Sequence, residues 1–421
     1  MKKFSLFFII FSLFFIFPFS VFASDGILAR IGNKYYDTLE DAIMSAGAND
    51  VIVMTSNVVL GNSLDINKTV NLDLNGYTVS SDNKVFNVYG GSLNLIGTGT
   101  VKENKPYYGA IVVMGSSDID DKEFSTVSVA SGITLEGWSG IFVDHNDNNE
   151  SVSYGININF DGKINGIDDI DGGSGVGIYI NGNVKSVDNY PVVTLGDTAS
   201  ITATGNGIYV AGYTKINING AYIAGEESGI AIKAGIINMN SGTVLCDGED
   251  KTPTSGFTDG VKPSGTAIQI ESNNGYRGDI ELYIKDGKVQ SKNSNAIYEY
   301  VAESALTKIK NISLSGGEFL AGNSKNVFAF SSSFVNNFSG FVTGGVYSTN
   351  PNQYVKSGYS VVNEGGLYSV VKSTMGDNYL SVNNMEGGVS VITILIVLLV
   401  IVLLVLAYLK KDVIFKFFKK R

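Results

Sequence analysis

The chain has 421 residues, 44% hydrophobic and 17% charged, with 50 Gly, 6 Pro, one Cys and one His, enough for one large or two ordinary domains. One Cys and one His exclude an internal disulfide framework, Cys-clustered zinc or iron–sulfur sites and multi-His metal centres, and three Arg (Arg30, Arg277, Arg421) leave little for guanidinium clamps on phosphate. Glycine without a triplet period excludes collagen, and 11% aromatics argues against disorder.

Residues 1–23 read as a secretory signal: Lys2 and Lys3, an apolar run from Phe4 to Phe17, and Val21-Phe22-Ala23 as the small-residue cleavage site. The next segment, 24–66, is expected to be an N-terminal cap. Within it Thr38 supplies a capping hydroxyl, Glu40 and Asp41 an acidic first turn, and Leu39, Ala42, Ile43 and Ala46 one apolar side, the pattern of a short helix lying over the first rung of whatever follows.

Residues 67–340 form a repeat array. A small residue, an apolar residue, a variable one and a second apolar one recur as Ala110-Ile111-Val112-Val113, Gly140-Ile141-Phe142-Val143, Gly177-Ile178-Tyr179-Ile180, Gly207-Ile208-Tyr209-Val210, Gly229-Ile230-Ala231-Ile232, Ala267-Ile268-Gln269-Ile270 and Ala296-Ile297-Tyr298-Glu299. Weaker copies at Val85-Phe86-Asn87-Val88 and Val327-Phe328-Ala329-Phe330 bracket them, with steps of 22 to 38 residues. Between copies lies a second unit of alternating apolar residues, a Gly turn and another apolar pair, as in Ile216-Asn217-Ile218-Asn219-Gly220-Ala221-Tyr222-Ile223. Three short strands per turn follow, with Ile, Val and Leu inward at period two and Gly or Asn at the corners. One such turn cannot bury its apolar face alone, but stacked turns can, so the expected fold is all-β: a right-handed single-stranded parallel β-helix. A sandwich would show hairpins every 8 to 12 residues and a propeller a longer four-stranded period.

Residues 341–372, rich in Gly, Tyr and Val, read as a closing C-terminal β cap, and 373–388 as a linker. Val389 to Leu409 is 21 residues without a charge, about 32 Å as a helix and enough for one transmembrane crossing. The basic tail 410–421 places that end in the cytoplasm and the rest outside, as a single-pass protein of the cell membrane. Setting aside Lys2 and Lys3, and the six basic residues of the tail less Asp412, the net charge of −10 becomes −17 for the part between. So acidic an ectodomain repels nucleic acid, and no nucleic-acid partner is expected.

Ala29-Arg30-Ile31-Gly32-Asn33-Lys34-Tyr35-Tyr36-Asp37-Thr38-Leu39-Glu40-Asp41-Ala42-Ile43 followed by Val70-Asn71-Leu72-Asp73-Leu74-Asn75-Gly76-Tyr77-Thr78-Val79 resembles the opening of pectin-lyase-like right-handed β-helix surface proteins of Gram-positive-type bacteria. Gly344-Gly345-Val346-Tyr347-Ser348-Thr349-Asn350-Pro351 with Tyr354-Val355 and Gly358-Tyr359 is similar to their terminal segment. The resemblance is specific for architecture and open on activity, because the fold hosts polysaccharide lyases, galacturonan hydrolases, adhesins and phage tailspikes. Lyases of this kind need carboxylates around Ca²⁺ beside an Arg or Lys base, and the hydrolases need Gly-His-Gly and Arg-Ile-Lys motifs, which do not occur here.

Asp168-Asp169-Ile170-Asp171 is the best carboxylate cluster, in a Gly-flanked insertion that reads as a solvated loop. Asp144-His145-Asn146-Asp147-Asn148-Asn149-Glu150 fails the EF-hand pattern at Asn149 and Gly155, and a looser Ca²⁺ site there or at Asp118-Ile119-Asp120-Asp121 is the one cofactor alternative to none. Cys246 reads as a core or turn thiol. The middle residues of the repeat point outward, so Phe142, Tyr179, Tyr209 and Tyr298 are expected on one outer face as ligand-binding residues, interrupted by Ala231 and Gln269. Against this stands their plain use as good strand residues stacking on one another. The expected function is therefore a membrane-anchored surface module that binds glycans or host surface proteins without catalysis. A polysaccharide lyase or glycoside hydrolase, or a passive surface spacer, are the alternatives.

Overall fold

The computed structural model describes residues 26–144, 153–181, 188–251, 264–272, 276–301, 307–331 and 338–373. The expected signal segment, the transmembrane run with its basic tail, and His145 with the rest of the loop to Glu150 lie outside these residues. Among the described residues no helix is long and apolar enough to cross a membrane.

The chain winds in turns of three strands. In one turn, Ile156–Phe160, Lys163–Gly166 and Val176–Ile180 follow one another, and each pairs in parallel with its counterpart in the next turn: Val192–Leu195, Ser200–Ala203 and Asn206–Val210. Repetition of this step stacks the strands into three parallel arrays, the arrangement of a solenoid-like parallel β-helix. The third array is a separate 10-stranded sheet running from Leu64–Ile66 to Phe328–Ala329. The first and second arrays merge into one 23-stranded sheet, because Thr214–Gly225 and Gly235–Cys246, each 12 residues long, run through the corner between them.

The third sheet holds the sequence repeat in register. Phe86, Ile111, Ile141, Ile178, Ile208, Ile230, Ile268, Ile297 and Phe328 pair successively along one inward row. The row begins one copy earlier than the sequence pattern, at Leu64. On the second sheet Val79, Val101, Leu135, Ile164, Ile201, Ile223, Val244, Val289 and Phe319 form the facing row, and all of them are buried. Alternation at period two thus places one β-branched or Leu residue per strand into a common apolar column, each contributing about 1.5–3 kcal/mol by its burial.

Two kinds of corner glycine are needed. Gly220, Gly242, Gly287 and Gly317, between the first and second sheets, have φ of +113°, +115°, +101° and +93°, which side chains with a Cβ rarely adopt. The small residue that opens each third-sheet repeat answers a different demand. A Cβ on Gly177 would stand 2.2 Å from Ile201 Cγ2 and 2.3 Å from the Gly207 carbonyl oxygen of the next turn.

Both ends of the stack are covered. The helix Leu39–Ser45 is capped by Thr38, whose Oγ1 accepts from the Asp41 amide at 3.1 Å, and it buries Leu39, Ala42 and Ile43. Lys68 closes its other end by donating from Nζ to the Met44 and Ala46 carbonyls, 2.9 Å each. At the far end the hairpin Tyr359–Glu364 and Leu367–Lys372 pairs antiparallel with Val346–Tyr347, the last strand of the second sheet. Stacked Phe319 and Tyr347, 4.9 Å apart, sit there with Phe328, Phe341 and Tyr354 as an aromatic plug. These elements shield parts of the two ends of the stack, where bare strand edges could otherwise recruit another chain.

Candidate binding face on the third sheet

The outward row next to the inward isoleucines runs Asn87, Val112, Phe142, Tyr179, Tyr209, Ala231, Gln269, Tyr298, in unbroken register. The four aromatic residues marked in the sequence therefore share one face, and three of them are consecutive. Parallel strands in register lie about 4.8 Å apart, close to the separation at which rings stack. Phe142 and Tyr179 do so, at 4.9 Å and 5° between planes, and Tyr209 follows at 4.8 Å, tilted by 46°. Stacking occupies the ring faces with each other and turns their edges outward.

The row is also less open than the alternation implies. Tyr209 is 1% and Phe142 9% exposed, while Tyr179 and Tyr298 are half-buried. Trp138, from the corner that precedes the Phe142 strand, lies 5.2 Å from Tyr179 and 6.2 Å from Phe142. Its indole Nε1 donates to the Ser174 carbonyl at 3.0 Å, and its amide donates to buried Glu103 at 3.1 Å. Glu103 takes the Tyr108 amide with its other oxygen, so one carboxylate fixes the backbone on both sides of the aromatic shelf. What this face offers a ligand is a shelf of half-exposed Trp138 and Tyr179 over buried Phe142 and Tyr209. Burial pushes the Tyr179 phenol up to about 12, with Tyr276 and Asp144 adding to the effect, and raises Tyr209 further still. Both hydroxyls are neutral at physiological pH, but Tyr209 is covered and hydrogen-bonded to Tyr276, which leaves half-exposed Tyr179 as the donor for a ligand.

Two residues beyond Ala231 and Gln269, in the turns after Tyr209, a buried polar group lies beside the Tyr209 end of this shelf. Lys233 Nζ and Glu271 Oε2 are 3.3 Å apart with side chains 1% and 2% exposed. Gln269 Nε2 donates to the other oxygen of Glu271. The ammonium stands 5.4 Å from the Tyr209 ring centre and 5.5 Å from that of Tyr276. Burial raises the Glu271 carboxyl above its ordinary value, and Lys233 and Gln269 offset part of that. The sequence reading missed Lys233, Glu271, Trp138 and Tyr276 and treated Gln269 only as an interruption. One more step of the alternation in Ile230-Ala231-Ile232-Lys233 and Ile268-Gln269-Ile270-Glu271 brings the two charges into line.

The carboxylate clusters are occupied locally. Asp169 Oδ1 accepts the amides of Asp171 and Gly173 at 2.8 and 2.7 Å, making the insertion a self-contained turn. Asp118 Oδ1 takes the Asp120 amide at 3.0 Å, and Asp121 Oδ2 takes the Ser116 hydroxyl at 2.5 Å. Asp144 accepts from Asn181 Nδ2 at 3.2 Å. Among the described residues no three His, Cys, Asp or Glu side chains gather as a metal site would require. Cys246 is buried with its Sγ 3.7 Å from the Glu226 carbonyl, and desolvation pushes the thiol up to about 12.

The outer face of the first sheet carries a polar row instead, with Asn94 Nδ2 donating to Asn71 Oδ1 at 2.8 Å and Asn238 Nδ2 to Asn217 Oδ1 at 3.2 Å. The described chain is thus a capped parallel β-solenoid with one aromatic and one amide-lined outer face. No protein-family model, curated protein or solved structure matches it.

Proposed function

We propose that this chain is a membrane-anchored surface protein of bacteria whose β-helix, right-handed and of the pectin-lyase-like kind, is an adhesion or glycan-binding module without catalysis. In this reading residues 1–23 direct export, and 389–409 hold the solenoid to the membrane with its basic tail inside. The observation that carries the binding reading is the Trp138–Phe142–Tyr179–Tyr209 shelf. Half-exposed Trp138 and Tyr179 are continuous with buried rings on one flank of the solenoid, and Tyr179 carries a neutral phenol donor. Trp138, tilted against its neighbours and not stacked on them, suits the C–H face of a sugar, and the outward edge of Tyr179 with its hydroxyl suits a sugar's hydroxyl edge. The acidity of the ectodomain favours neutral glycans over polyanionic ones.

The test is a glycan array with the purified full chain in detergent, with and without chelator. Binding to a neutral glycan that survives chelation and is lost in Trp138→Ala and Tyr179→Ala, with circular dichroism unchanged, is the expected result. Depolymerisation of a polysaccharide would establish the enzyme reading, and neither signal would leave a passive spacer.

A further inference from the structure

We propose that Lys233 and Gln269 become joined by an isopeptide bond, Nζ to Cδ, with Glu271 moving the protons. The inference is independent of what the aromatic shelf binds. It rests on three side chains brought together on the outer face of two adjacent turns. Ala231 pairs with Gln269 and Ile232 with Ile270, which sets Lys233 across from Glu271. Glu271 grips both reacting groups at once, Lys233 Nζ at Oε2 from 3.3 Å and Gln269 Nε2 at Oε1. A purely electrostatic pair needs only the first of these contacts.

The lysine is also held among rings on the same outer side. Its Nζ stands over the ring of Tyr209, and Tyr209 is in register with Ala231, itself in register with Gln269. Lys233, Gln269 and Glu271 are 1%, 0% and 1% exposed, so water has little access to compete for the carbonyl. Lys233 Nζ and the Gln269 amide, both held to Glu271 in a dry site, react as neighbours in one molecule, where effective concentrations are very high.

The step balances with no added reagent. The Lys233 ammonium gives one proton to the Glu271 carboxylate, and the freed amine attacks Gln269 Cδ. Glu271 takes the second proton from Nζ as it returns the first to Nε2. The Cδ–Nε2 bond breaks, ammonia leaves, and Glu271 ends protonated. That is the form its burial favours, with the costly buried ion pair removed. The product ties one turn of the solenoid covalently to the next.

Intact mass and tryptic mapping of the purified full chain test this. The wild type should be lighter than its sequence mass by one ammonia. It should also lose cleavage after Lys233 and yield a branched peptide joining Lys233 to Gln269, while Lys233→Met and Glu271→Gln should return to full mass. A folded wild type with Lys233 and Gln269 both unmodified would overturn the proposal. So would a deficit of water in place of ammonia, or a deficit that persists in Lys233→Met. A branched peptide that persists in Glu271→Gln would remove Glu271 from the step. The wild-type mass decides the linkage alone, so a variant that fails to fold leaves the test standing.

Discussion

Glu299 is in register with Ile270, in the inward row that holds Val88, Val113, Val143, Ile180, Val210 and Ile232 in the turns before it. A carboxyl stands where all seven of these turns place an aliphatic side chain, 8% exposed, its Oε2 accepting the Ser331 amide and hydroxyl at 2.9 and 2.8 Å. Burial raises it above the ordinary glutamate value, and the two Ser331 bonds offset only part of that. A raised folded-state value means that the folded state binds the proton more tightly than the unfolded chain. The stabilising contribution is therefore complete at low pH, below the unfolded value of about 4.3, and is lost as pH rises through the folded one. Glu299→Gln keeps a hydrogen-bond acceptor for Ser331 and removes the charge. Thermal melts across pH should show the variant matching the wild type under acid conditions and unfolding at higher temperature above neutrality. A gap that stays constant with pH would contradict this.

Ile208 lies mid-row in the third sheet between Ile178 and Ile230 and is fully buried. Truncation to Ala removes packing on the turn above and the turn below at once, and neighbouring ladders cannot collapse into the gap without shifting register. Ile208→Ala should cost about 3–4 kcal/mol, within the range for buried Ile-to-Ala changes. Outward Tyr222, 40% exposed, should cost far less on the same change. Denaturant midpoints of the two variants measure the difference.

How far the fold could be read from sequence depended on whether a feature was local. The third-sheet repeat was legible because a small residue, two inward apolar positions and an outward one coincide in four residues, as at Gly177-Ile178-Tyr179-Ile180, and every marked copy pairs with the next. The helix after Thr38 was legible from its cap and apolar side. Leu64-Asp65-Ile66 went unmarked because a three-residue strand with Asp in its middle carries too little signal. The Lys233–Glu271 pair went unmarked for another reason, since it stands one alternation step beyond the four-residue repeat. The residues are separated by a long connection, and the pairing across turns shows that they meet. Alternation likewise assigns Tyr209 to the outer side of its strand but does not say whether that side is covered.

Gly177 and Gly61 separate a packing demand from mere glycine content. A Cβ at Gly177 would overlap Ile201 and the Gly207 carbonyl, the latter part of the backbone ladder of the next turn, whereas one at Gly61 would meet nothing within 4 Å. Gly177→Ala should destabilise by about 1–3 kcal/mol or more, as expected for overpacking against backbone. Gly61→Ala should be neutral or slightly stabilising, because it narrows only the unfolded chain. Equal midpoints for the two variants would refute the assignment of Gly177 to a crowded corner.

Cys246 follows Gly225 and precedes Ser291 in a column of small residues at the end of the second-sheet strands. Its burial, with Asp247, Glu227 and Glu226 nearby, pushes the thiol up to about 12, although a backbone hydrogen bond from Gly248 works the other way. The thiolate is the reactive form, so at neutral pH the native thiol is both protonated and covered. Native protein should react with a thiol-specific disulfide reagent more slowly than the same chain in denaturant, by orders of magnitude. The rate should track unfolding and not rise simply as pH approaches the ordinary cysteine value of about 8.5. Fast labelling of native protein near neutrality would show that this corner opens to solvent and that the column of small residues is looser than its packing implies.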